Sequence, residues 1–167
     1  MFSNLTSRRS FAARLASLFT GVGVASMLSN STSVAAQAPS GVQKLDYEGK
    51  TAGTGFITPL IIHNGVIYIA GQGAHSHDSS EFPMDIETHT KRVMENVKTL
   101  VTNGGGTMDS ILQLTVYLVD IDFYDGMNSV FKTYFPNGGP ARTTVAVAAL
   151  PGKSLVEINC TAAVVKK

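Results

Sequence analysis

Hydrophobic and polar positions divide the body of the chain into short alternating runs and longer helical ones. Val66-Ile67-Tyr68-Ile69-Ala70 is short, β-branched and aromatic, and ends at Gly71. That predicts a strand. Asn64-Gly65 just before it is a hairpin turn signal, which makes Leu60-Ile61-Ile62 the partner strand. From Asp85 the period becomes helical: Ile86, Val93, Val97, Leu100 and Val101 fall on one stripe, with Glu87, Lys91, Arg92, Glu95 and Lys98 mostly off it. Asn103-Gly104-Gly105-Gly106 stops this helix. Ile111 to Val119 predicts a strand with Leu112, Leu114, Val116 and Leu118 on one face and Thr115, Tyr117 and Val119 on the other. Asp122 is the candidate N-cap of a second helix, with Asp125 three residues on. Phe123, Met127, Val130, Phe131 and Tyr134 form its apolar side, and Pro136 to Pro140 ends it. Two strands close the chain, Thr143–Leu150 and Leu155–Val165, with Pro151-Gly152 expected as their hairpin turn.

The predicted order is hairpin, helix, strand, helix, strand, strand, which is an α+β pattern. Two helices cover only one face of such a sheet, so the other face calls for a partner, and oligomerisation is the natural solution.

Residues 1–36 stand apart from this pattern. They hold Arg8, Arg9 and Arg14 and no acid. Ser7-Arg8-Arg9-Ser10-Phe11 resembles the twin-arginine export motif, a weakly apolar stretch from Leu15 to Leu28 follows, and small residues precede Gln37. The apolar stretch is too short to span a bilayer well, since that takes about 20 apolar residues. The expectation is a cleaved signal peptide over 1–36, a flexible N-terminal stretch over 37–50 and one domain over 51–167, with a periplasmic or secreted product. An organelle transit peptide is the alternative.

Charge then sharpens the picture. The full chain has 13 Lys+Arg and 12 Asp+Glu, a net charge of +1. The three N-terminal arginines account for more than that surplus, so the remainder is slightly acidic, at −2. No dense basic stripe exists for phosphate neutralisation, which argues against nucleic acid as a partner. A single cysteine, Cys160, excludes an intrachain disulfide and cysteine-rich metal sites.

Few residues then stand out as candidate chemistry. Arg142 directly precedes a nearly uncharged strand. Its guanidinium fork suits either a structural ion pair or the carboxylate of a ligand. Glu157 interrupts the apolar run Leu155-Val156-x-Ile158, and serves either as an exposed strand residue or as partner or water-activating base beside Arg142. His75-x-His77-Asp78, with His63 and His89 elsewhere, lacks recognised metal-ligand spacing, so no metal is expected. Cys160 falls on an apolar strand face, where an inert thiol is expected. Gly104-Gly105-Gly106 follows a helix rather than a strand and is not a phosphate loop.

Taken together, Gly138-Gly139-Pro140-Ala141-Arg142-Thr143-Thr144-Val145, Leu150-Pro151 and Leu155-Val156-Glu157-Ile158 resemble the carboxyl-terminal signature of the RidA (YjgF) family of reactive-intermediate deaminases. Ile69-Ala70-Gly71-Gln72, Asn96-Val97-Lys98, Val116 to Asp120 and Met127-Asn128-x-x-Phe131-x-x-Tyr134-Phe135 resemble further blocks, so the likeness spans roughly residues 50–165. It implies a chorismate-mutase-like fold, a mixed sheet with two helices on one face, in a homotrimer with a barrel-like core and active sites between subunits. It also implies that Arg142 clamps a substrate carboxylate and Glu157 positions or activates water, with Gly71, Phe56, Asn128 and Thr144 lining the cleft. Phe56 stands where many members carry a tyrosine, and Thr144 where many carry a cysteine.

The implied reaction is cofactor-free hydrolysis of small 2-imino and 2-enamino acids, such as 2-iminopropanoate and 2-aminoacrylate, to 2-oxo acids and ammonia. Competing expectations are a non-catalytic metabolite-binding or chaperone-like role, and ribonuclease activity. The slightly acidic body, without an aromatic-and-basic patch, argues against the last.

Overall fold

The computed structural model describes residues 41–74 and 85–165. They belong to one compact unit, Ala36–Lys167; the other unit, Met1–Ala35, lies outside the described residues, as do the twin-arginine motif and His75-x-His77-Asp78. Six strands form one sheet: β1 (Gln43–Leu45), β2 (Leu60–His63), β3 (Val66–Gln72), β4 (Ile111–Leu118), β5 (Ala141–Ala146) and β6 (Val156–Ala163). Among the described residues two α-helices accompany them, α1 (Ile86–Asn103) and α2 (Tyr124–Phe131). The strand order is β1-β2-β3-β6-β4-β5. Only β4 and β5 run parallel; every other neighbouring pair is antiparallel.

The expected barrel-like core is therefore corrected. The sheet is open, with β1 and β5 as opposite edges. A barrel needs its first and last strands to hydrogen-bond to each other, and these two are separated by the four strands between them. The described residues form an open α+β mixed sheet accompanied by two helices.

The β2–β3 hairpin forms as the sequence predicts. Asn64 and Gly65 both have positive φ, 50° and 77°, which is the requirement of the tight turn whose twist matches the strands. Helix α1 also follows its pattern. Asp85 caps it by accepting from the Thr88 N–H at 2.7 Å, and hydrogen bonds from the Thr88 side chain and then its backbone N–H hold the Asp85 carboxyl below its ordinary pKa. Its stripe of Ile86, Val93, Val97, Leu100 and Val101 is buried against Ile67, Leu114 and Ile158 of the sheet's inner face. Each such side chain contributes about 1.5–3 kcal/mol by leaving water. At the far end the N–H groups of Gly104 and Gly106 bond the carbonyls of Leu100 and Val101, both at 2.9 Å.

Helix α2 packs against α1 through Gly126, where a Cβ would come within 2.5 Å of Ile86. Its start differs from expectation. Asp120, rather than Asp122, is the capping side chain: it accepts from the Asp122 N–H at 3.0 Å and opens a 3-10 turn, Ile121–Phe123, which leads into α2. Asp122 thus sits inside the turn, and α2 begins at Tyr124 without a side-chain cap.

Two strand predictions fail for identifiable reasons. Leu112 is 54% exposed, whereas Ile111 is buried. A bulge between Ile111 and Gln113 breaks the β4–β6 register and inverts the alternation at the start of β4. The second failure is the β5–β6 hairpin. Strand β4 lies between them, and the connection wraps the end of β4, with Val147 N–H bonding Leu118 O and Val119 N–H bonding Leu155 O. Pro151–Lys153 is a 3-10 turn within this connection.

The ends of β3 and β6 are pinned by buried side chains. Ser154 Oγ accepts from Ala74 N–H at 2.9 Å and donates to Val156 O at 2.6 Å. The Leu155 N–H donates to Nδ1 of the buried His89 on α1 at 3.0 Å. Ser154→Ala leaves a buried amide without its acceptor and a buried carbonyl with one fewer donor. It is expected to cost about 1–3 kcal/mol, read as a lower urea midpoint; an unchanged midpoint contradicts this role.

Candidate active site

Strand register decides where the candidate residues point. Arg142 pairs with buried Leu114, and Glu157 pairs with half-buried Tyr117. Paired residues share a face of the sheet. Arg142 therefore lies on the inner, helix-covered face. Glu157, alternating with buried Val156 and Ile158, lies on the outer one. Within one chain the two are not brought together.

Around Arg142 the inner face is built from α2. Tyr124, Asn128 and Phe131 occupy positions i, i+4 and i+7 of that helix, so one helical face presents all three to the edge strand. The guanidinium Nη1 donates to Asn128 Oδ1 at 2.7 Å and Nη2 to the Tyr124 hydroxyl at 3.2 Å. Its Cζ lies 4.7 Å from the Phe131 ring centroid, and Phe131 is held in turn by Phe135, centroid to centroid at 4.8 Å. Among the described residues no carboxylate pairs with Arg142. Neutral amide, phenol and aromatic groups thus hold a half-buried cation in place and leave its charge uncompensated. Thr144, two residues along on the same face, has a buried hydroxyl without a hydrogen-bond partner.

Around Glu157 the outer face forms a cleft of about 190 Å³ lined by Gly71, Tyr117, Val147, Leu150, Glu157 and Asn159. The β3–β6 register shifts between Ile69 and Gln72, and Gly71 lies in that irregularity. The Glu157 side chain lies over Gly71: a Cβ there would come within 2.8 Å of Glu157 Cδ and collide with Oε1. Any residue larger than glycine displaces the carboxylate. Gln72, buried beside it, donates to the carbonyls of Ala70 at 2.9 Å and Gly71 at 3.2 Å and fixes this bend. Asn159 Oδ1 is buried in the cleft wall without a partner.

The remaining candidates fall outside both clusters. Phe56 is fully exposed in the connection between β1 and β2. Cys160 is buried, and desolvation pushes its thiol up to about 12, so the nucleophilic thiolate is scarce at neutral pH. Among the described residues no group of three or more His, Cys, Asp or Glu could hold a metal ion. No helix among them is long and apolar enough to cross a membrane. The prediction from single residues missed Tyr124 and Tyr117. Tyr124 had a visible signal, its i, i+4 spacing to Asn128, whereas Tyr117 enters only through non-local strand pairing.

The described residues thus form an open mixed sheet with a half-buried cation on one face and a carboxylate over a glycine on the other. The endoribonuclease L-PSP family profile matches residues 51–164, and the chain belongs to this family, the RidA/YjgF family. A RutC family protein of Pyrococcus abyssi is 36% identical over 97 residues, covering 58% of this chain and 76% of that protein. A protein of Arabidopsis thaliana named reactive intermediate deaminase A, chloroplastic, is 29% identical over 149 residues, 86% of this chain and 80% of that protein. A crystal structure of a Rid family protein from Yersinia pestis superposes with a TM-score of 0.67 at 31% identity, covering 74% of this chain and 100% of that one.

Proposed function

We propose that the protein hydrolyses small 2-imino and 2-enamino acids, such as 2-iminopropanoate and 2-aminoacrylate, to 2-oxo acids and ammonia. Imine and enamine deamination is the activity type of the RidA homologues in its family. The observation that carries the reading here is the Arg142 guanidinium, held by Asn128, Tyr124 and Phe131 with no carboxylate partner among the described residues. A cation kept in a fixed orientation by neutral groups is a receptor for an anion of matching geometry, and a carboxylate fits its fork.

The chemistry asks little more of the protein. An enamine becomes the imine when a proton passes from its nitrogen to its terminal carbon, and the imine carbon is already electrophilic, so no cofactor is required. Water adds to that carbon, the C=N π electrons move to nitrogen, and nitrogen takes up a proton. The resulting carbinolamine loses ammonia as the C–N bond breaks and the C=O bond forms. Arg142 fixes the substrate by its carboxylate, which supplies orientation. Glu157 accepts a proton from the attacking water and passes it to the imine nitrogen, then takes the carbinolamine's hydroxyl proton and delivers it to the departing nitrogen.

Because Arg142 and Glu157 leave the sheet on opposite faces, this reading requires two copies of the chain, one supplying the cation and the other the carboxylate. Edge strand β5, hydrogen-bonded only to β4, leaves its outer edge available for such a contact. The homotrimer implied by the family resemblance is one assembly that would meet the requirement. Phe56, fully exposed in one chain, and Thr144, with its unpartnered hydroxyl, are the side chains proposed to shape the pocket around the substrate's side group. Their identities set substrate preference.

We also propose export of the mature body to the periplasm or beyond, on the strength of Arg8-Arg9 followed by the apolar stretch Leu15–Leu28. Changing Arg8 and Arg9 together to lysine is expected to trap the uncleaved precursor inside a bacterial cell; unchanged export contradicts the assignment.

The catalytic reading is checked by coupling an amino-acid oxidase to the purified mature protein and following imine loss. Wild type is expected to accelerate loss over spontaneous hydrolysis. Arg142→Ala and Glu157→Gln are each expected to lower the rate about 100-fold or more while the thermal midpoint changes little. Calorimetric binding of a 2-oxo acid without any turnover would instead favour a non-catalytic metabolite binder.

A further inference from the structure

Tyr124 holds Arg142, but neither the family pattern nor the reaction above gives it a contact with the substrate. It opens α2, is 39% exposed, and lies against the one guanidinium that the proposed function uses. Its ring centroid is 5.7 Å from Arg142 Cζ, and its hydroxyl oxygen accepts from Nη2 at 3.2 Å.

A phenol accepts through its oxygen lone pairs and donates through a single proton. Here the accepting side is turned to the cation. Repulsion then directs the O–H proton away from the guanidinium, and among the described residues that proton has no acceptor. The adjacent positive charge also polarises the phenol and strengthens it as a donor. An unused donor and an uncompensated cation thus meet at one place, on the exposed end of α2 beside β5. Asn128 differs in this respect, because its oxygen is aimed at Nη1 from the half-buried side of the helix.

From this juxtaposition we infer that Tyr124 is a substrate-binding residue, donating its phenolic O–H to the same carboxylate that Arg142 clamps. The anion site then consists of a guanidinium and a phenol acting together, and it selects ligands with a carboxylate over the corresponding amides more sharply than the guanidinium alone would. This inference rests on the reading of Arg142 as a carboxylate receptor.

The test uses Tyr124→Phe in the full mature protein, which keeps the ring over the guanidinium and removes only the hydroxyl. Binding of 2-oxobutanoate and of 2-oxobutanamide is measured by calorimetry, alongside KM and kcat for imine loss. The expected result is about tenfold weaker 2-oxobutanoate binding and a KM raised to match. Amide binding and kcat are expected to change by less than about twofold. Unchanged 2-oxobutanoate binding in the variant overturns the inference while leaving the deaminase reading intact. Equal weakening for acid and amide also overturns it, because that pattern belongs to a tyrosine that merely braces Arg142. Wild type that neither binds 2-oxobutanoate nor turns over imine overturns the reading of Arg142 itself, and the role of Tyr124 with it.

Discussion

A half-buried guanidinium that no carboxylate among the described residues neutralises is costly to maintain, and the structure around Arg142 is organised to hold it. Moving a charge out of water is unfavourable unless something replaces the lost solvation. Asn128 and Tyr124 replace part of it with hydrogen bonds, and Phe131 presents the negative face of its ring. All three come from one face of a two-turn helix. The placement of α2 is therefore the condition for the site, and α2 is placed by its close approach to α1 at Gly126 and by the buried side chains Met127 and Phe131.

The outer face solves the opposite problem, how to keep a carboxylate accessible and still fixed. Glu157 rests on Gly71, and the strands that carry the two residues are tied at their ends by Ser154 and His89. The register shift in β3, braced by Gln72, brings Gly71 beneath the carboxylate. These are buried polar contacts made by the core and read out at the surface, so a change in Ser154 acts on the position of Glu157 as well as on stability.

What the sequence reveals and what it conceals follow a physical division. Local periodicity suffices for α1, whose stripe from Ile86 to Val101 is buried as spaced, and for the Asn64-Gly65 hairpin, whose turn chemistry is specific. Arg142, Glu157 and Gly71 stand out as candidates from type, position and family likeness. What is concealed is non-local. Whether β5 pairs with β6 or with β4 depends on contacts across the sheet, and a proline-glycine turn signal suggests the wrong neighbour. The opposite facing of Arg142 and Glu157 follows only from that pairing. The bulge before Gln113, which exposes Leu112, and the use of Asp120 rather than Asp122 as a cap are shifts of one or two residues that periodicity does not resolve. The open sheet likewise replaces the closed core expected from likeness, because closure is not a property of a single chain with β1 and β5 at its edges.

The account stands on the claim that the cation of one chain works with the carboxylate of another. Complementation tests this most directly. Arg142→Ala and Glu157→Gln proteins, each inactive alone, are unfolded, mixed in equal amounts and refolded together. If sites form between chains, about a quarter of them regain both native side chains on random mixing, and imine turnover returns to that fraction of wild type. If both residues act within one chain, no mixed assembly contains an intact site. Turnover that stays at the level of the separate variants, with wild type refolding to full activity in parallel, contradicts the account.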